Sequence, residues 1–234
     1  MASFSFTWLG HGTFLFLSPG GKRIVLDPWI AGNPASPEGA KKLGALDLIL
    51  VTHGHNDHTG DLVSLARSSG AHVVAPVELG DWAEGKGLKN VTGMNIGGTL
   101  KMLGLTITMV PAVHSSSVTE ADGTRVYAGC AAGFIITFEN ALTVYFAGDT
   151  AVFGDMRLIG ELYHPTIGFL PIGDHYTMGP DQAAKACELL GIKQVVPMHF
   201  GTFPVLTGTP ARLKELVEPR GVQVLELKPG ETAS

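Results

Sequence analysis

A chain of 234 residues with 45% apolar and only 16% charged residues, including 31 glycines, has the composition of a turn-rich globular protein, which excludes intrinsic disorder. A net charge of −5 argues against an obligate nucleic-acid binder, which carries a basic excess. No apolar run is long enough to cross a bilayer and the opening MASFSFTWLGHG lacks the basic start of a signal peptide, so the cytoplasm is the expected compartment.

Apolar β-rich runs and helical patterns alternate over the whole length. Strands are expected at 4–9 and 13–17, joined at hairpin spacing by Gly10-His11-Gly12, and at 23–26. A strand at 48–52 runs into a glycine-punctuated loop; a helix over 61–69, a strand at 72–75 and a helix over 77–86 follow. Strands at 105–110, 133–138 and 142–147 precede a helix over 151–162 and a strand at 166–171. Pro180 suits a first helical turn and Asp181 complements its dipole. Ala183, Ala186, Cys187 and Leu190 then fall at i, i+3, i+4 and i+7, giving one apolar face, and Gly191 supplies the stop. Cys187 therefore reads as packing; with Cys130 as the second cysteine there is no disulfide framework, which fits a reducing compartment. A strand at 194–197, a helix over 209–217 and a strand at 222–227 complete the chain. No linker, charge block or repeat divides it, so 1–234 reads as a single α/β domain with two packed sheets and helices outside.

The densest chemistry lies in Thr52-His53-Gly54-His55-Asn56-Asp57-His58-Thr59-Gly60, directly after the buried-strand run Leu48-Ile49-Leu50-Val51. Three imidazoles and a carboxylate crowd this one segment of a chain with nine histidines, where a loop at a strand end presents ligands. His53 and His55 can converge on one ion, while Asp57 and His58 are offset toward a second. Imidazole and carboxylate together suit zinc, iron, manganese or nickel. Four donors cannot complete two coordination spheres. His114, Asp149 and His199 each cap another strand-like run and supply the remainder.

These segments, His114, Gly148-Asp149-Thr150 and Pro197-Met198-His199, resemble the ordered motifs of the metallo-beta-lactamase superfamily. Leu9-Gly10-His11-Gly12-Thr13-Phe14, Leu26-Asp27-Pro28-Trp29 and Pro171-Ile172-Gly173-Asp174-His175-Tyr176-Thr177-Met178-Gly179-Pro180 narrow the resemblance. They are similar to a branch of small metal-dependent hydrolases related to ascorbate-6-phosphate lactonases and N-acyl-phosphatidylethanolamine phospholipases. The resemblance implies a four-layer αβ/βα sandwich with two divalent cations, zinc foremost, at one edge of two mixed sheets. His53, His55 and His114 would hold the first ion, Asp57, His58 and His199 the second, and Asp149 would bridge them. Asp at 149, in place of the sulfur ligand of the zinc beta-lactamases, favours the phosphodiesterase, lactonase and thioesterase type. His55 departs from the acidic residue of the flavodiiron motif.

A shared, metal-bridged water, ionised near neutrality, would attack an ester-like bond of a small anionic or ester-like substrate, with Asp57 orienting it. Two other readings stand: an iron-dependent oxidoreductase on the same scaffold, and a non-catalytic metal-dependent binding protein. Asp27 either fixes a ligand histidine or starts a turn before Pro28. His11 either lines the pocket or is structural. His175 either delivers a proton or binds substrate, or it is a solvated loop residue. His72 and His164 read as structural. Segment 31–42 is a candidate lid, and assembly into a homo-oligomer is left open.

Overall fold

Short apolar runs punctuated by glycine favour strands over long helices, and the structure of the chain, a computed structural model, describes residues 3–234. The first half holds β1 (Ser5–Trp8), β2 (Phe14–Leu17), β3 (Arg23–Leu26), β4 (Leu48–Leu50), α1 (Asn56–Thr59), α2 (Leu62–Ser69), β5 (His72–Pro76), α3 (Val77–Gly85) and β6 (Val91–Met94). The second half begins with β7 (Thr99–Met102), β8 (Leu105–Pro111), β9 (Ser117–Thr119), β10 (Arg125–Tyr127), β11 (Ala132–Thr137) and β12 (Thr143–Phe146). It ends with α4 (Met156–Tyr163), β13 (Ile167–Pro171), α5 (Pro180–Leu190), β14 (Gln194–Met198), α6 (Pro210–Val217), β15 (Gln223–Val224) and β16 (Thr232–Ala233).

Two seven-stranded mixed sheets result, ordered β16-β1-β2-β3-β4-β5-β6 and β15-β14-β13-β12-β11-β8-β7. In the first, β3 to β6 run parallel and β1 and β2 antiparallel; in the second, β12 to β15 run parallel. β1 and β2 alternate buried and half-buried side chains, whereas β4 and β13 are buried at every position. The continuous apolar runs are thus the parallel strands covered on both faces.

The inner faces meet in a phenylalanine-rich core. Phe16 lies tilted against Phe169 with ring centroids 4.8 Å apart, and Phe4 lies 4.5 Å from Phe138, so rings from both halves interdigitate. Each such buried ring contributes roughly 1.5–3 kcal/mol of transfer free energy. Leu62 and Ala66 of α2 and Leu79 and Ala83 of α3 cover Ile49, Val51 and Val73 outside the first sheet. Ile159 of α4, Ala183 and Cys187 of α5 and Leu213 of α6 cover Tyr145, Leu170 and Val195 outside the second. The layers are therefore α, β, β, α. Both cysteines are free, and burial pushes the Cys187 thiol up to about 12, as its packing role requires.

The expected helix over 151–162 starts only at Met156, and the strand expected at 222–227 pairs only at Gln223 and Val224. Strands β6, β7, β9, β10 and β16 lie where no strand is expected from the sequence. Among the described residues no helix is long and apolar enough to cross a membrane.

Candidate metal centre

The ends of β3, β4, β8, β12 and β14 deliver Asp27, the histidine segment, His114, Asp149 and His199 to one edge of the sandwich. The segment after β4 is not all loop. His55 caps α1, a single turn that carries Asp57 and His58. His53 Nε2 lies 3.0 Å from His55 Nδ1, which lies 3.3 Å from His114 Nε2, so these three rings converge. Asp57, His58 and His199, with His11 beside them, form a second group whose donor atoms lie within 4.8 Å of one another. Asp149 stands between the groups. Its Oδ2 is 3.1 Å from His199 Nε2, 3.4 Å from His58 Nε2, 3.6 Å from His114 Nε2 and 3.9 Å from His53 Nε2.

Buried polar atoms are normally hydrogen-bonded. Here His58 Nε2, both ring nitrogens of His199 and Asp149 Oδ1 are buried without a hydrogen-bond partner. Unpaired nitrogen and oxygen donors gathered at one place are what a cation needs, so these residues fit divalent metal ions.

The supporting shell explains how the donors are kept bare. Asp27, fully buried at φ 47°, accepts the Thr52 N–H at 2.8 Å, the Thr52 hydroxyl at 2.7 Å and His58 Nδ1–H at 2.8 Å. The Thr52 hydroxyl, having donated, accepts from His53 Nδ1–H at 3.0 Å. One carboxylate thereby fixes the tautomers of two histidines and turns both Nε2 atoms toward the cluster. Gly148, at φ 61°, lets Asp149 approach, because a Cβ there would sit 2.7 Å from Thr52. The sequence offers Asp27 as one of two alternatives and does not single out Thr52, whose only signal is its place between the strand and His53.

His11 is fully buried at φ 55° in the β1–β2 turn. Its Nε2 lies 3.0 Å from Asp57 Oδ2, its Nδ1 2.9 Å from Thr202 Oγ1, and its ring packs 3.8 Å from that of His199. His175 is not brought into the cluster. It is exposed, its N–H bonds the Asp174 carboxylate, and its ring meets Tyr176 edge-on at 4.4 Å. The cavity over the cluster, about 330 Å³, is lined by His55, Asp57, His114, Ser115, Tyr176 and His199 around Asp149. Among the described residues none of 31–42 lines it; part of that segment borders a separate cavity with Thr7, Leu9 and Leu15. His72 bonds Thr92 Oγ1, and His164 ends α4 in a left-handed cap.

Without metals the two groups differ in charge. Burial, the largest influence, holds His53, His55 and His114 below the ordinary imidazole value, so they are neutral at pH 7. Burial, the largest single influence, also opposes charge on His58 and His199, but the carboxylates together outweigh it, Asp149, Asp57 and Asp27 raising His58 well above 6.5 and Asp149 and Asp57 raising His199 to about 9. Burial works upward on Asp57 and Asp149 too, yet the adjacent imidazoles hold both well below the carboxylate range. Filling the group of His58 and His199 is therefore expected to release about one to two protons at pH 7, and filling the three-histidine group almost none. Calorimetric metal titrations in buffers of different ionisation enthalpy measure this; equal proton release in both steps would contradict it.

Two mixed sheets inside helices, with an Asp/His cluster at strand ends, define a metal-dependent hydrolase of the metallo-beta-lactamase fold. The Beta-lactamase superfamily domain matches residues 22–200. A UPF0173 metal-dependent hydrolase of Koribacter versatilis is 52% identical over 228 residues, covering 97% of both chains. Igni18, a metallo hydrolase from the archaeon Ignicoccus hospitalis, superposes with a TM-score of 0.87 at 39% identity, covering 98% of this chain and 97% of that one. The metallo-beta-lactamase fold protein YhfI from Bacillus subtilis shares the fold, with a TM-score of 0.71 at 17% identity and full coverage of both chains. The chain belongs to the UPF0173 metal-dependent hydrolases of the beta-lactamase superfamily.

Proposed function

We propose that the chain hydrolyses an ester-like bond, phosphodiester, lactone or thioester, in a small anionic substrate, with two divalent cations, zinc foremost, as cofactors. The observation that carries this reading is the single oxygen of Asp149 within 3.1–3.9 Å of four imidazoles from two donor groups. His53, His55 and His114 would hold one cation, Asp57, His58 and His199 the other, and Asp149 both. When bound, the cations supply Lewis acidity and lower the pKa of water toward neutrality.

The chain's own groups do the positioning. Burial pushes His11 down to about 4, so it stays neutral at pH 7. Its Nδ1 accepts from the Thr202 hydroxyl, leaving Nε2–H to donate to Asp57 Oδ2. Asp57 is thereby held facing the cavity as a carboxylate, placed to orient a water. His11 is a positioning residue in this scheme. His175, outside the cavity lining, takes no step in it.

An anionic substrate is supported by Arg125 on β10. Its strand partner Thr119 exchanges two hydrogen bonds with Asn56, beside His55, and Arg125 has no carboxylate partner among the described residues. A single guanidinium close enough to oppose charge on His55 also attracts anions.

Bis(4-nitrophenyl) phosphate, a lactone and a thioester offered to the metal-loaded protein test the reading. Turnover of at least one is expected, lost on chelation and restored by added metal. A loaded, coloured protein that turns over none of them and consumes oxygen would support the iron oxidoreductase instead.

A further inference from the structure

Tyr176 is the only carbocyclic ring among the described residues lining the metal cavity; every other lining side chain is an imidazole, a carboxylate or the Ser115 hydroxyl. It is 57% exposed, so much of its ring is hydrated until something covers it. The loop that carries it is held in a costly shape. Asp174 and His175 are successive non-glycine residues in the left-handed region, at φ 66° and 57°. Such conformations persist only where surrounding bonds enforce them, and they gather at functional sites.

The enforcing bonds are plain. Asp174 accepts the His175 N–H on its carboxylate and the Tyr176 N–H on its carbonyl, and donates its own N–H to the Met178 carbonyl. Met178 N–H is bound by the carbonyl of Thr150, the residue after Asp149. The Thr150 hydroxyl also accepts from the N–H of Val113, 52% exposed and adjacent to His114. One residue beside Asp149 thus clips both the tyrosine loop and an apolar residue of the opposite loop. His175 packs edge-on against Tyr176 at 4.4 Å and 81°, bracing the ring.

We infer that Tyr176 is a specificity-determining residue, and that the substrate carries a flat apolar group, an aromatic ring or conjugated acyl chain, lying against it. This rests on the hydrolase reading above: the scissile end faces the Asp149 cluster and the flat group faces the loop. His175 then serves by bracing Tyr176, which accounts for its place outside the cavity.

Phenylphosphonate and methylphosphonate present the same anionic head with and without a ring. Calorimetric titration of each into metal-loaded protein, with metal content checked, isolates the ring's contribution. The phenyl compound is expected to bind about tenfold more tightly. That ratio should fall to near one in Tyr176→Ala and survive in Tyr176→Phe, which keeps the ring and loses the hydroxyl. Equal affinities in the parent protein, or a ratio that Tyr176→Ala leaves unchanged, would overturn the inference while leaving the hydrolase reading in place. Binding of neither compound would overturn the inference, whereas the hydrolase reading falls only if none of the three probes above is turned over.

Discussion

Asp149→Ala is expected to reduce bound metal to less than one ion per chain and to lower turnover of any hydrolysed probe by roughly a thousandfold. The size of the effect follows from position. One buried oxygen faces His53 and His114 of one donor group and His58 and His199 of the other, so its loss weakens both. The metal-free protein should suffer as well, because the variant leaves two buried, charged imidazoles short of their principal counter-charge, at a cost of about 3–5 kcal/mol.

The pH dependence of that cost has a definite sign. His199, raised to about 9 when folded, contributes stability in full below its ordinary 6.5, and that stability is lost as pH climbs toward 9. Asp149, held below its ordinary 3.8, contributes above that value and loses its contribution as pH falls through its lowered folded value. The deficit of the variant should therefore be largest between those two ordinary values and shrink toward pH 9. Urea unfolding of chelated parent and variant across this range measures it. A variant that keeps two ions, or a deficit that grows with pH, would rule out the bridging role.

The second large effect is expected at Asp27, which does not line the metal cavity. Asp27→Asn can keep the left-handed backbone at φ 47°, since asparagine tolerates that region. Its amide cannot accept from Thr52 N–H, the Thr52 hydroxyl and His58 Nδ1–H together, so the orientation of His58 is lost. Metal affinity of the group holding His58 should drop about 10–100-fold. Asp27→Ala should add destabilisation of about 1–3 kcal/mol, because the buried Thr52 N–H then has no acceptor. Metal titration with a chelating competitor and chemical unfolding separate the two. Unchanged affinity in Asp27→Asn would mean that His58 is held by packing alone.

Much of this was legible in the sequence because it is local. β4 and β13 are continuous apolar runs, and α5 carries its own start and stop signals, with Gln182 accepting the Gly179 N–H and Gly191 at φ 66°. The donors stand out because histidine and aspartate are rarely crowded at strand ends without cause. The missed elements have little local signal. β7 alternates exposed and half-buried residues at a sheet edge, and β9 and β10 form a separate hairpin of three-residue strands. β16 exists only through pairing with β1, more than two hundred residues earlier, as Phe6↔Ala233 and Thr7↔Thr232.

Beyond Asp27 and His11, which the sequence offers as candidates, the supporting residues were illegible for the same reason. Thr202 matters only because the fold sets its hydroxyl on His11, 191 positions away, and Tyr176 only because its loop is tied to Thr150. Nor does the sequence reveal that His175 turns outward while its neighbour turns in; that depends on two successive left-handed residues.

The most direct test of the two-cation site is anomalous diffraction from crystals of the metal-loaded protein, recorded at the metal edge. Two peaks are expected, one among His53, His55 and His114, the other among Asp57, His58 and His199, with Asp149 touching both. A fully loaded crystal with one peak, or with peaks away from these side chains, would contradict it.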